Sequence, residues 1–252
     1  MTKDLRLQHL EKQRNLRGVA FTRKLDRGLP VLDRLAFWLS TSRKVDGLWI
    51  GTTESKPDEP SLRRVEDALR LIKHHDSLQY SRVLHNLERI WVHLLPNTLA
   101  CYDDSKKACV LDERFVLLET TTLERIASTI VHEATHARLD RWGTSYNDEK
   151  ERSRIEAICL RRELNFIAKL PHSEQLQDEF ARTLEWVVSQ HDYFSDLSFQ
   201  QRDDQGNAET PRYLGTPDWL IRFIFGLAPK VRAATSKVRR LVQRFAGPPR
   251  QA

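Results

Sequence analysis

The chain has 252 residues, of which 40% are hydrophobic and 30% charged, and its formal net charge at pH 7 is +6. This composition is typical of a globular protein with enough apolar material to build a core. The modest positive charge permits contact with anionic lipid, nucleic acid or an acidic substrate, but it requires none of them.

Three further features bear on the location of the protein. No apolar run approaches the roughly 18 residues that a membrane-spanning helix needs. The N-terminal stretch MTKDLRLQHLEKQRNLR is charged throughout and lacks the apolar segment of a secretory signal. The three cysteines, Cys101, Cys109 and Cys159, are too few and too scattered for a disulfide-stapled secreted domain. We therefore expect a cytoplasmic protein.

The first part of the chain, residues 1–60, is predicted to be a basic helical extension followed by a linker. LPVLDRLAFWLS, residues 29–40, is typical of a short apolar helix that either docks on the domain or touches a membrane surface. GTTESKPDEP, residues 51–60, has the glycine, prolines and mixed charges of a linker.

Residues 61–170 are predicted to form the core. A helix with Ser61 as its cap is expected over 61–75, where apolar residues recur at helical spacing. Short segments rich in β-branched and aromatic residues then predict strands at 89–96, 98–103, 107–112 and 114–119. The DDSK turn between the second and third of these would place Cys101 roughly opposite Cys109, as two reduced cysteines.

Helices are predicted for the remainder of the chain. The stretch 121–142 has Thr121 or Thr122 as its cap and Gly143 at its end, and 147–170 is stopped by Pro171. The C-terminal part, 171–252, is predicted to contain a helix at 173–191, a loop at 201–212, an apolar helix at 217–229 and a basic amphipathic helix at 230–245. Helices, then a small mostly antiparallel sheet, then helices again predict an α+β fold.

The stretch TIVHEATHARLD, residues 129–140, contains the motif His132-Glu133-Ala134-Thr135-His136. Residues i and i+4 of a helix lie on one face, so both imidazoles can point at one metal ion. Glu133 lies next to them around the helix, where it can hold a water without being a ligand. The apolar residues of this helix cluster on the opposite side, so the histidines line either a cleft or solvent.

A catalytic zinc needs a third protein ligand. Leu139 and Trp142 stand where a third histidine of the longer H-E-x-x-H-x-x-G-x-x-H motif would require glycine and histidine, which excludes that class. Glu156, twenty residues after His136 on the next helix, is the favoured candidate. The alternatives are the other acidic residues nearby, namely Glu149, Glu151, Glu163 and Asp140.

HEATH followed twenty residues later by Glu156-Ala157 resembles the gluzincin branch of the zincin metallopeptidases, over roughly residues 88–168. The resemblance implies two antiparallel helices that carry the zinc ligands, with the small Ala157 letting them approach closely. It also implies a sheet before the motif helix whose edge strand, 107–112 or 114–119, pairs with extended substrate.

The sequence departs from the thermolysin-like pattern at Leu160. An aspartate that orients a motif histidine is expected there in that family, so another group must take this role. Asp140, four residues after His136, or a backbone carbonyl could supply it.

The resemblance implies a zinc-dependent peptidase that holds one Zn²⁺ through His132, His136 and Glu156. Glu133 would act as general base on a metal-activated water and then return the proton to the leaving amine. The donor that stabilises the oxyanion is left open among four polar side chains: Tyr146, His172, His191 and Tyr193.

Two other interpretations remain. The chain could be a non-catalytic binding protein that keeps a zincin fold, or it could contact a membrane peripherally through the basic amphipathic helix at 230–245. No motif that reads nucleic acid is recognisable, so no specific nucleic-acid partner is expected.

Overall fold

The computed structural model describes residues 29, 31–53, 59–95, 98–189 and 191–202. The predictions for 1–28, 203–212, 217–229 and 230–245 lie outside these residues. The chain divides into two compact units, Met1–Phe199 and Gln200–Ala252, and the description below concerns the first. Its elements are α1 (Val31–Leu39), β1 (Thr41–Val45), β2 (Leu48–Thr52), α2 (Pro60–His75), α3 (Ser77–Asn86), β3 (Arg89–His93), β4 (Ala100–Asp103), β5 (Ala108–Asp112), α4 (Glu113–Leu117), α5 (Leu123–Arg141), α6 (Glu149–Ile167), α7 (Glu174–Ser189) and a 3₁₀ turn (His191–Phe194).

The five strands form one mixed sheet in the order β1-β2-β3-β5-β4. The pairs β1–β2 and β4–β5 are antiparallel, whereas β2–β3 and β3–β5 are parallel. The predicted α+β class, with a small sheet followed by helices, is confirmed. The sheet is mixed rather than mostly antiparallel because α2 and α3 fill the long crossover that a parallel pair such as β2–β3 requires.

The sheet begins earlier than the sequence analysis expects. β1 and β2 lie within residues 1–60, which were assigned to an extension and linker, yet they supply two of the five strands. Asp46 and Gly47 join them with φ angles of 47° and 94°. An Asp-Gly pair with positive φ at both residues is the preferred two-residue hairpin turn, so this signal was present in the sequence.

The segment 114–119 is not a strand but contains most of the short helix α4. Asp112 caps this helix, because its side chain accepts hydrogen bonds from the backbone N–H groups of Arg114 and Phe115. Phe115 and Val116, two of the apolar residues that suggested a strand, are buried from this helix instead. An aspartate cap at the end of β5 therefore outweighs local β propensity.

The start of α2 also differs from the prediction. The helix begins one residue earlier, at Pro60, which occupies the first turn, where a missing N–H costs nothing. Glu59 precedes it with a φ of 44° and makes no side-chain capping bond, so Ser61 is not the cap.

The hairpin of β4 and β5 is confirmed, but its register is shifted by one residue from the expected one. Cys101 lies opposite Val110, and Tyr102 lies opposite Cys109. The two cysteines therefore point to opposite faces of the sheet, and all three cysteines of the chain are free.

Apolar clusters cover both faces of the sheet. The larger one lies between the sheet and helices α2, α3 and α5, and it includes the fully buried Leu69, Ile90 and Ile130. On the other face, Phe37 of α1 packs against Trp49 and Trp91, with ring centroids 5.3 and 4.7 Å apart. Helix α1 thus docks on the sheet. Over the part of the chain that is described, no helix is both long enough and apolar enough to cross a membrane.

Burial predicts which leucines hold the fold together. Leu69 of α2 is 0% exposed, whereas Leu78 of α3 is 58% exposed. We expect Leu69→Ala to lower the free energy of unfolding by about 2–5 kcal/mol, because it removes buried apolar contacts and leaves a cavity. The matched substitution Leu78→Ala should change it by about 0.5 kcal/mol or less. Urea denaturation measures both, and equal losses would contradict the assigned core.

Candidate metal centre

Helix α5 carries the histidine motif and has well-defined ends. Thr122 is the cap, since its side chain accepts a hydrogen bond from the backbone N–H of Arg125. Gly143, with φ of 82°, ends the helix as predicted, and the N–H of Thr144 donates a hydrogen bond to the carbonyl of Leu139. Both ends of the helix are therefore fixed by local hydrogen bonds.

The two motif histidines and Glu156 converge at one point between α5 and α6. The Nε2 atoms of His132 and His136 lie 3.1 Å apart. Glu156 Oε2 lies 3.3 Å from Nε2 of His132, and Glu156 Oε1 lies 3.5 Å from Nε2 of His136. Four ligands held tetrahedrally at about 2.0–2.1 Å from zinc stand about 3.3 Å from one another, so these separations fit a zinc ion.

The protonation states also suit a metal. Burial lowers the pKa of His136 to about 4, which leaves it neutral with a free lone pair. Burial acts in the same direction on His132, but hydrogen bonds to Glu156 and Glu163 and their charges raise its pKa well above the usual value. Burial favours the neutral form of Glu156, yet the bond from His132 and the nearby imidazoles lower its pKa to about 2. A metal bound at Nε2 would therefore displace a proton from His132.

Glu163 supplies the orienting group that the sequence analysis could not place. Its Oε2 lies 2.9 Å from Nδ1 of His132, and its side chain is 3% exposed. A carboxylate at Nδ1 fixes the tautomer that presents Nε2 to a metal and makes that nitrogen a stronger ligand. Glu163 lies seven residues after Glu156 on α6, so two helical turns bring both carboxylates to the same face.

The remaining acidic candidates lie elsewhere. Asp140 accepts hydrogen bonds from Tyr102 and Lys107, and it does not orient a histidine. Glu149 accepts a bond from the backbone of Asp196, and Glu151 pairs with Arg154. The geometry thus singles out Glu156 and Glu163 from the acidic residues considered.

Ala157 does not have the role expected of it. It packs with Leu160, Val187 and Phe194, on the side of α6 that faces α7 and the 3₁₀ turn. The close approach of α5 and α6 instead involves Leu139, Ile155 and Cys159, which form a small buried cluster.

Glu133 lies beside this centre on the first turn after His132. Its side chain is 6% exposed, and the backbone N–H of Tyr102 on β4 donates a hydrogen bond to it. Burial raises the pKa of Glu133 to about 7, partly opposed by His132 and reinforced by the charges of Glu156 and Glu163. A carboxyl group that titrates near neutral pH is suited to accept and return a proton.

Cys159 is a further potential ligand that the sequence analysis did not consider. Its Sγ and a ring nitrogen of each motif histidine lie within 4.8 Å of one another. Burial, reinforced by the charges of Glu156 and Glu133, raises the pKa of the thiol well above its usual value. Because zinc binds the thiolate, Glu156 is the better third ligand, and Cys159 is a candidate for a fourth.

Tyr146 is the one of the four proposed oxyanion donors that lies at the centre. Its hydroxyl donates a hydrogen bond of 2.5 Å to Glu156 Oε1, and its ring meets that of His136 edge to face. His172 is exposed in a turn, and the ring of Tyr193 meets the rings of Trp186 and Phe194 edge to face. The side chain of His191 lies outside the described part of the chain.

The strand next to the motif helix differs from both candidates proposed by similarity. The segment 107–112 contains β5, which is interior to the sheet, and 114–119 contains most of the helix α4. The edge strand on this side of the sheet is β4, and its Tyr102 contacts Glu133 through the backbone N–H and Asp140 through the hydroxyl. Substrate pairing along the predicted strands is therefore ruled out, and β4 is the edge that adjoins the centre.

Comparisons with known proteins add no relative to these observations. No family model, no curated protein and no solved structure matches this chain.

The donor set can be tested by metal content. We expect Glu156→Ala to lose its zinc after dialysis, because only two imidazoles would remain of the three converging ligands. Glu149→Ala, on the same helix but outside the centre, should keep it. Cys159→Ser should also keep it, and elemental analysis per chain measures all three. Loss of zinc in Cys159→Ser together with retention in Glu156→Ala would overturn this ligand assignment.

The role of Glu163 predicts a smaller effect. Glu163→Gln keeps the shape of the side chain but removes the charge that supports His132, so zinc affinity should fall about 10- to 100-fold. Competition with a fluorescent chelator measures the dissociation constant. An affinity equal to that of the unchanged protein would show that Glu163 does not act through His132.

Proposed function

We propose that this chain is a zinc-dependent peptidase. The observation that carries the proposal is the convergence of His132, His136 and Glu156 on one point, with Glu133 buried beside it. His132, His136 and Glu156 are 12–18% exposed, so the centre is enclosed but still reachable from solvent. A buried proton acceptor next to three potential ligands is the minimum arrangement for hydrolysis by activated water.

Each residue has a distinct task in this proposal. When bound, zinc supplies Lewis acidity, which lowers the pKa of water and polarises a carbonyl. Glu133 takes a proton from the attacking water and delivers it to the nitrogen of the leaving amine. The hydrogen bond from the N–H of Tyr102 holds the carboxylate of Glu133 in place during both transfers. Tyr146, whose hydroxyl donates to Glu156 at the centre, is the donor that we assign to the oxyanion.

Cys159 favours a second candidate function. If its thiolate joined His132, His136 and Glu156, four protein ligands would surround the ion and no position would remain for substrate. The centre would then stabilise the fold of a binding protein and catalyse nothing. Against this candidate stands Glu133, which a purely structural site has no need to bury.

Glu133→Gln separates catalysis from metal binding. Glutamine has the same shape but cannot accept the proton, so kcat should fall by about 10²–10⁴ while zinc content stays unchanged. Activity is measured by mass spectrometry on a mixture of peptides from a digested proteome, where cleavage creates new termini. Glu151→Gln, at a half-buried residue of α6 that pairs with Arg154 outside the centre, is the matched control and should cleave normally.

Two outcomes would contradict the peptidase proposal. Equal cleavage by Glu133→Gln and the unchanged protein would remove Glu133 from the reaction. Zinc bound in the unchanged protein without cleavage of any peptide in the mixture would favour the non-catalytic candidate, and in that case Cys159→Ser should weaken the zinc site.

A further inference from the structure

A cluster of arginines lies on the side of α5 turned away from the sheet edge, toward α3. Arg138 and Arg141 belong to α5, Arg82 to α3, and Arg162 to α6. Arg82, Arg138 and Arg162 are half-buried. Partly buried arginines are normally paired with carboxylates, because burial of an uncompensated charge is costly.

These arginines line two adjoining cavities. Arg82 and Arg138 line both, together with Asn86. The larger cavity has a volume of about 390 Å³ and is bordered also by Arg141 and Trp142. The smaller one, about 20 Å³, reaches Arg162. A volume of a few hundred Å³ suits a small molecule rather than a protein surface.

Within the described part of the chain, no carboxylate neutralises this cluster. No acidic residue borders either cavity, and none of the four arginines forms an ion pair there. Arg82 donates to the amide of Gln79, and Arg141 donates to the carbonyl of His85 and the amide of Asn86. These partners satisfy hydrogen bonds but bring no negative charge.

The mutual repulsion of the arginines is visible in Arg82. Burial lowers its pKa, and the charges of Arg162 and Arg138 lower it further. Asp76 acts in the opposite direction, but its carboxylate is held by Lys169 at 2.6 Å. The cluster therefore retains an excess of positive charge that a bound anion would relieve.

Trp142 gives the larger cavity a flat wall. Trp142 is 66% exposed as a residue, and the guanidinium group of Arg138 lies over its ring, 4.2 Å from the centroid. Stacking fixes the plane of that guanidinium group and leaves its N–H groups directed outward. An exposed indole beside fixed donors suits a ligand in which a planar group adjoins the anion.

We propose that the arginine cavity between α3 and α5 binds a small phosphate compound carrying more than one negative charge. Guanidinium groups bind phosphate oxygens through paired hydrogen bonds, and several arginines require more charge than one carboxylate supplies. The proposal is independent of the zinc site, because none of the four arginines contacts His132, His136 or Glu156.

The test is calorimetric titration of the full-length protein with pyrophosphate and, separately, with adenosine diphosphate. We expect both to bind, and Arg138→Gln to weaken binding at least tenfold because a paired contact is lost. Arg138→Lys keeps the charge but loses the planar guanidinium group, so its affinity should lie between those of the unchanged protein and Arg138→Gln. Arg154→Gln, which alters an exposed arginine of α6 outside the cavity, should bind within about twofold of the unchanged protein.

The comparison of the two compounds identifies which part of the ligand is recognised. Tighter binding of adenosine diphosphate than of pyrophosphate assigns a nucleoside phosphate stacked on Trp142, and equal binding assigns the phosphate groups alone. The zinc-depleted Glu156→Ala variant should bind as well as the unchanged protein, which excludes capture of phosphate by the metal. The proposal would be overturned if neither compound bound, or if Arg138→Gln bound them as tightly as the unchanged protein. It would also be overturned if the protein bound only vesicles of phosphatidic acid.

Discussion

Three carboxylates and two imidazoles share the enclosed space between α5 and α6, and the balance of their charges is the constraint on which the rest depends. An ionised carboxylate that is buried without compensation costs several kcal/mol. The raised pKa of His132 favours its charged form, whereas the low pKa of His136 favours the neutral form of that imidazole. A divalent ion that replaced the proton on His132 would bring one more positive charge to the same point. A cation at this point would therefore balance the carboxylates, and the raised pKa of Glu133 is a consequence of burial and of the nearby charges of Glu156 and Glu163.

The fold serves this centre by fixing α5 on three sides. One face of the helix packs on the sheet through residues such as Ile126 and Ile130, which are fully buried. The edge strand β4 holds a second side, since Tyr102 contacts both Glu133 and Asp140. Helix α6 covers the third and brings its carboxylates to the histidines. Because packing on these three sides holds the motif residues, a metal would meet ligands that are already in position.

The sequence predicted the centre better than it predicted the sheet. His132, Glu133 and His136 could be placed because i and i+4 spacing on one helix determines which side chains share a face. Glu163 could not be distinguished from Glu149, because both lie two turns from Glu156 and only the packing of α6 on α5 decides which end is near His132. The first two strands were missed although Asp46-Gly47 signals a hairpin, because the charged TSRKV gives little indication of a strand.

Helix α5 carries two clusters of like charge, and each is shaped by a different set of neighbours. The charged groups that most strongly shift the pKa values of Glu133 and Glu156 are the motif histidines and other carboxylates. Those that most strongly shift the pKa of Arg82 are other arginines. None of the four arginines is among the groups that shift the pKa of Glu133 or Glu156. The arginines therefore do not neutralise the carboxylates on the opposite side, and each cluster keeps its own excess. A cation on one side and a phosphate on the other would each relieve a repulsion that the folded chain leaves unbalanced.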